Sequence, residues 1–144
     1  MKLAHVAVVV RDLEEAIRVY TGAFGLALLH REDIPGQHVR VAFLGDPAGG
    51  EHAAQVELLE PAGAEGAAAK FLAARGPGVH HLAFRADDLS GEMERLRREG
   101  RPPLEARPRP GAHGHAVCFL HPKHACGVLV ELVGEGERHE ADQR

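Results

Sequence analysis

His5-Val-Ala-Val-Val-Val-Arg-Asp-Leu-Glu-Glu-Ala-Ile17 and His81-Leu-Ala-Phe-Arg-Ala-Asp-Asp-Leu-Ser-Gly-Glu-Met93 are two versions of one stretch, 76 residues apart. The same offset carries Ala42-Phe43-Leu44 onto Cys118-Phe119-Leu120. Further on, Gln55-Val-Glu57-Leu-Leu59 is answered by Val128-Leu-Val-Glu131-Leu-Val133, now at an offset of 74. The two lost residues fall in the loops around Asp46 to His52 and Pro122 to Cys126, where changes of length are tolerated. One such match could arise by chance, but three in the same order indicate an internal duplication. The expectation is two copies of a module of about 70 residues that share one core, each being small for a stable fold alone.

Within each copy the pattern reads strand, helix, then three strands, so the expected class is α+β with two tandem βαβββ modules. Leu3 to Val10 is a valine-rich run that ends at Arg11-Asp12, the signature of a buried strand. Asp12 supplies an N-cap with Glu15 three residues on, and the helix is expected to run to about Ala23 and stop at Gly25. Strands follow at about residues 27–31, 38–44 and 53–59. In the second copy the expected elements are a strand at 79–85 and a helix from Asp87 or Asp88 to about Glu99. Strands at 115–120 and 127–133 complete it. This places module one at about 3–61, a connecting helix at about 66–75 and module two at about 78–133. Together they make one domain over 1–134, followed by a polar tail at 135–144.

Composition narrows the function. The 144 residues are 44% hydrophobic and 26% charged, as in ordinary globular proteins, and no apolar run approaches a membrane span. A formal charge of −4 and six aromatic residues argue against a nucleic-acid binder. Two cysteines cannot form a disulfide scaffold, and no leader-like segment precedes the first strand, so the expected compartment is the cytoplasm. Eleven histidines are the outlier.

The repeat gives two of those histidines a meaning. His5 and His81 open the first strand of each copy, while Glu57 and Glu131 sit in the last, each amid apolar neighbours. A carboxylate in such a strand is either turned to solvent by alternation or buried with a partner or a metal. The symmetric recurrence of all four favours a shared metal site with His5, Glu57, His81 and Glu131 as ligands. Two imidazoles and two carboxylates suit Co²⁺, Mn²⁺, Ni²⁺, Zn²⁺ or Fe²⁺ better than Ca²⁺, and four protein ligands leave open positions for a substrate.

These residues resemble the vicinal oxygen chelate superfamily. Within it the chain is similar to the methylmalonyl-CoA epimerases. The stretches that carry the likeness are Glu57-Leu-Leu-Glu-Pro61, Ala69-Lys-Phe-Leu72, Gly78-Val-His-His-Leu-Ala-Phe84, Arg109-Pro-Gly-Ala-His-Gly114, Phe119-Leu-His-Pro-Lys123 and Gly127-Val-Leu-Val-Glu-Leu132, and the whole likeness covers about residues 3 to 133. The resemblance implies a curved mixed sheet around a central metal site with helices outside. It also implies one divalent ion per chain with Co²⁺ first, an acyl-CoA substrate, a homodimer, and epimerisation at C2 through a metal-stabilised enolate. Glu131 matches one catalytic base. Some relatives carry a second in the third strand, at the position of Val41, and valine cannot move a proton. Glu57, where such relatives have glutamine, is the expected substitute. Rival activities for the same ligand set are a glyoxalase-type lyase or isomerase acting on a glutathione hemithioacetal, and a non-enzymatic small-molecule binder.

Several residues stay open at this level. His80 points away from His81 and suits core packing or support of the site. His113, His115, His121 and His124 crowd the loops near Glu131, as substrate contacts, solvated positions or a second metal site. Lys70, Lys123, Arg107 and Arg109 are either coenzyme A contacts or ordinary surface. Cys118 reads as core, and Cys126 as a loop residue with no arrangement around it that would make a nucleophile.

Overall fold

A computed structural model describes residues 1–50 and 52–134. The expected tail at 135–144 lies outside the described residues. Strand β1 (Lys2–Val9) leads into helix α1 (Leu13–Phe24), and β2 (Ala27–Ile34), β3 (Val39–Gly45) and β4 (Gln55–Pro61) follow. Helix α2 (Ala67–Arg75) connects to β5 (Gly78–Ala86), α3 (Leu89–Arg98), β6 (Arg109–Pro110), β7 (Ala116–Leu120) and β8 (Val130–Gly134). The class is α+β with mixed sheet, and the βαβββ order occurs twice.

The chain divides into two compact units. One is His5–His80, and the other joins Met1–Ala4 to the chain from His81 onward. The divisions fall inside the first strands of the modules, just before His5 and His81. Local packing explains this. Ala4 packs with the cluster of Ala83, Val117, Phe119 and Val133 in the second unit. His80 packs edge-on against Phe71 of α2 in the first, with ring centroids 5.1 Å apart.

Within His5–His80, β2 and β3 are antiparallel, as are β3 and β4, while β4 runs parallel to β1. The second unit repeats this with β6–β7 and β7–β8 antiparallel and β8 parallel to β5. The registers obey the sequence repeat. Ala7 lies opposite Glu57 and Ala83 opposite Glu131. Phe43 lies opposite Glu57 and Phe119 opposite Glu131.

The helices form where capping and periodicity demand. The Asp12 carboxylate accepts a hydrogen bond from the Glu15 amide at 3.1 Å, and Gly25 takes the left-handed conformation that ends α1. Asp88 likewise accepts from the Gly91 amide at 3.0 Å. Leu13, Ala16, Ile17 and Tyr20 form the apolar face of α1, packed with Ala42, Leu44 and Leu58. Leu89, Met93 and Leu96 do the same for α3 against Cys118, Leu120 and Leu132.

Differences from the sequence expectation lie at loop edges. Strand β8 starts at Val130 and not at Gly127, because Cys126 and Gly127 take positive φ (56° and 93°) in a turn closed by the Gly127 amide on Pro122 O at 2.8 Å. Strand β2 continues to Ile34, where it pairs with Val39 across a short 3₁₀ turn. The Pro-rich segment expected as loop contributes the two-residue strand β6, paired with Ala116 and Val117.

Leu13 and Leu89 are equivalent by the repeat and fully buried. Truncating either to alanine should lower stability by about 2–5 kcal/mol, read from urea denaturation. A change under about 0.5 kcal/mol, the size of a surface substitution, would contradict the packing described.

Candidate metal centre

Register and pleat deliver the first pair. Because β1 is parallel to β4 with Ala7 opposite Glu57, His5 stands two residues before Glu57's neighbour and on the same face. Its Nε2 lies 3.6 Å from Glu57 Oε1. Phe43 faces Glu57 from the other side, on β3, and its ring meets the His5 imidazole at 84° with centroids 5.4 Å apart.

The second pair is built by the same rule. His81 stands two residues before Ala83, the neighbour of Glu131, and its Nε2 is 2.9 Å from Glu131 Oε2. Phe119 faces Glu131 on β7 and meets His81 at 86° with centroids 5.6 Å apart. The reading in which alternation turns both glutamates to solvent does not hold.

Burial sets these residues apart. His5, Glu57, His81 and Glu131 are 7%, 5%, 4% and 8% exposed, and they are the buried polar or charged side chains among the described residues. Burying an ionised carboxylate costs several kcal/mol unless opposite charge compensates it. Two carboxylates and two imidazoles offer oxygen and nitrogen donors, which suit a borderline divalent ion. The donor set therefore fits a divalent metal. Buried His5, His81 and Glu131 could hold a metal ion. Glu57, the fourth ligand expected from the sequence, stands beside His5.

Other sequence candidates find specific roles. His80 supports Phe71. His121 caps the 3₁₀ turn Pro122–His124, its Nδ1 accepting from the Lys123 amide at 3.0 Å. His113 holds φ 60° and tilts against His115, with ring centroids 5.8 Å apart. Lys70, Arg107 and Lys123 are exposed. Arg109 is engaged with its guanidinium 4.9 Å from the Phe119 centroid and Nε 3.3 Å from Glu105. Val41 is fully buried, opposite Leu59 on one side and Glu32 on the other.

Two acidic residues near these elements escaped the sequence reading. Glu32 pairs with His30 Nε2 at 3.0 Å. A His-x-Glu spacing in a strand puts both side chains on one face, and that signal was available. Glu105 accepts from the Phe119 amide at 2.8 Å, from a segment without regular structure that no periodicity marks.

Cys118 is buried beneath α3, and burial, with smaller contributions from Glu105 and Glu131, pushes its thiol up to about 12. Cys126 is exposed. A raised pKa leaves Cys118 protonated at every pH below that value, so a thiol reagent at pH 8 should modify one cysteine quickly and the second only on denaturation. Rapid modification of both in the folded protein would contradict the burial of Cys118.

Comparison with known proteins gives a consistent answer. Residues 4–119 match the model of the glyoxalase/bleomycin resistance protein/dioxygenase superfamily. An ethylmalonyl-CoA/methylmalonyl-CoA epimerase of Cereibacter sphaeroides is 37% identical over 134 residues, spanning 91% of this chain and 96% of that one. The crystal structure of methylmalonyl-CoA epimerase from Mycobacterium tuberculosis superimposes with a TM-score of 0.86 at 40% identity, covering 92% of this chain and 87% of that chain. A methylmalonyl-CoA epimerase in complex with methylmalonyl-CoA and NH4+ gives 0.87 at 35% identity, with 96% of each chain covered.

Proposed function

The chain belongs to the glyoxalase/bleomycin resistance protein/dioxygenase superfamily, and we propose that within it the chain is an isomerase that interconverts the R and S forms of methylmalonyl-CoA at C2. The observation that carries this reading is the set of four buried, polar side chains, His5, Glu57, His81 and Glu131, in strands whose other buried residues are apolar. Relatives of that name at 35–40% identity support the choice of substrate.

In this reading the four residues hold one divalent ion, Co²⁺ by preference with Mn²⁺, Ni²⁺ or Zn²⁺ as substitutes. When bound, the ion supplies Lewis-acid stabilisation of the negative charge that develops on the thioester oxygen. The remaining work belongs to the protein. Epimerisation removes the C2 proton from one face and returns a proton to the other, so it needs two bases, one for each face. Glu131 and Glu57 are equivalent by the repeat, and a carboxylate on each side of the substrate carbon supplies both. The apolar surroundings keep water away from the carbanionic carbon. Val41 contributes shape alone. The chain acts on a soluble acyl-CoA in the cytoplasm as a homodimer, and no described helix is long and apolar enough to cross a membrane.

In D₂O, methylmalonyl-CoA should lose its C2 proton to solvent as it epimerises, chelation should stop the exchange, and added Co²⁺ should restore it. Exchange untouched by chelation, or turnover of a glutathione hemithioacetal in its place, would contradict the proposal. Glu57→Gln keeps an oxygen donor but removes the base. It should retain metal binding and lose roughly 10²–10⁴-fold in epimerisation rate. Full activity in that variant would remove Glu57 from the proton transfer.

A further inference from the structure

The repeat carries a third element beside each His–Glu pair. Phe43 and Phe119 occupy equivalent positions, each directly across the sheet from a buried glutamate. Each meets the paired imidazole almost at a right angle, at 84° and 86°, with centroid separations of 5.4 and 5.6 Å. Edge-to-face packing of this kind has a preferred orientation, unlike the contact of an aliphatic side chain.

Each phenylalanine is held in turn by a basic group with its own acidic partner. His30 tilts against Phe43, with ring centroids 6.1 Å apart, and pairs with Glu32 at 3.0 Å. Arg109 covers Phe119 at 4.9 Å and pairs with Glu105 at 3.3 Å, and Glu105 also accepts from the Phe119 amide at 2.8 Å. The basic residues differ in type but lie on corresponding strands, β2 and β6, and each ends against the phenylalanine of its own module. The phenylalanines are buried, so neither ring can turn freely.

A histidine's terminal torsion is broad and roughly two-fold, so a buried imidazole needs neighbours to fix which nitrogen faces inward. In both pairs Nε2 is the nitrogen that faces the carboxylate. We infer that Phe43 and Phe119 are positioning residues, which hold the His5 and His81 rings with Nε2 turned toward Glu57 and Glu131 and so set the affinity for a divalent ion. The inference rests on the metal reading above and adds to it two residues that offer no metal-ligating atom.

The test is titration of the metal-free full-length protein with Co²⁺, followed by visible absorption, alongside its melting temperature. Phe43→Leu and Phe119→Leu keep apolar bulk but remove the flat ring. Each is expected to weaken Co²⁺ binding by about tenfold or more, as loss of a ligand-orienting neighbour does, with an altered cobalt spectrum and a melting temperature near that of the parent. Phe119→Tyr keeps the ring and is expected to bind as tightly as the parent protein, which also decides the matter should a leucine variant fail to fold. Leucine variants that bind like the parent, or a tyrosine variant weakened as much as its leucine counterpart, would overturn the inference alone. No binding by the parent protein would overturn the metal reading and this inference with it.

Discussion

Two carboxylates in the interior of an apolar sheet are the constraint on which the rest of this protein turns. Glu57 and Glu131 are flanked along their strands by valine and leucine and are almost closed to solvent. Left alone, each would cost several kcal/mol to bury. Each stands instead beside a buried imidazole, and no buried lysine or arginine shares their surroundings among the described residues. The proposed divalent cation would add positive charge beside them and account for residues that stability alone would select against.

The duplication is how so small a chain builds such a site. A parallel pairing of first and last strand, in one register, puts a histidine and a glutamate on one face, and repeating the module makes the second pair at no cost in new geometry. The helices hold that register. Leu13 and Leu89 press the first turn of α1 and α3 onto the same strands that carry the glutamates or their neighbours. The copies differ in what surrounds the pairs. Phe43 is held by a histidine and Phe119 by an arginine.

Much of this was legible in the residues. The repeat gave the order of elements, and Asp12, Gly25 and Asp88 marked helix ends because capping is a local interaction written in a few neighbouring residues. The four polar positions were legible because a charge inside a hydrophobic run is conspicuous. What depended on distant contacts was not. The start of β8 hinges on the positive φ of Cys126 and Gly127, set by a hydrogen bond to Pro122. The division of each first strand depends on what Ala4 and His80 pack against. The roles of Phe43 and Phe119 lie in cross-strand geometry, where a phenylalanine in a strand reads only as core.

The central claim is that His5, Glu57, His81 and Glu131 share one divalent ion. Anomalous diffraction at the cobalt edge, from crystals of the Co²⁺-loaded protein, tests it directly. The account predicts one anomalous peak per chain, within coordination distance of both imidazole Nε2 atoms and of a carboxylate oxygen from each glutamate. A protein that crystallises without a peak among these residues, or with cobalt bound at other side chains, would contradict it.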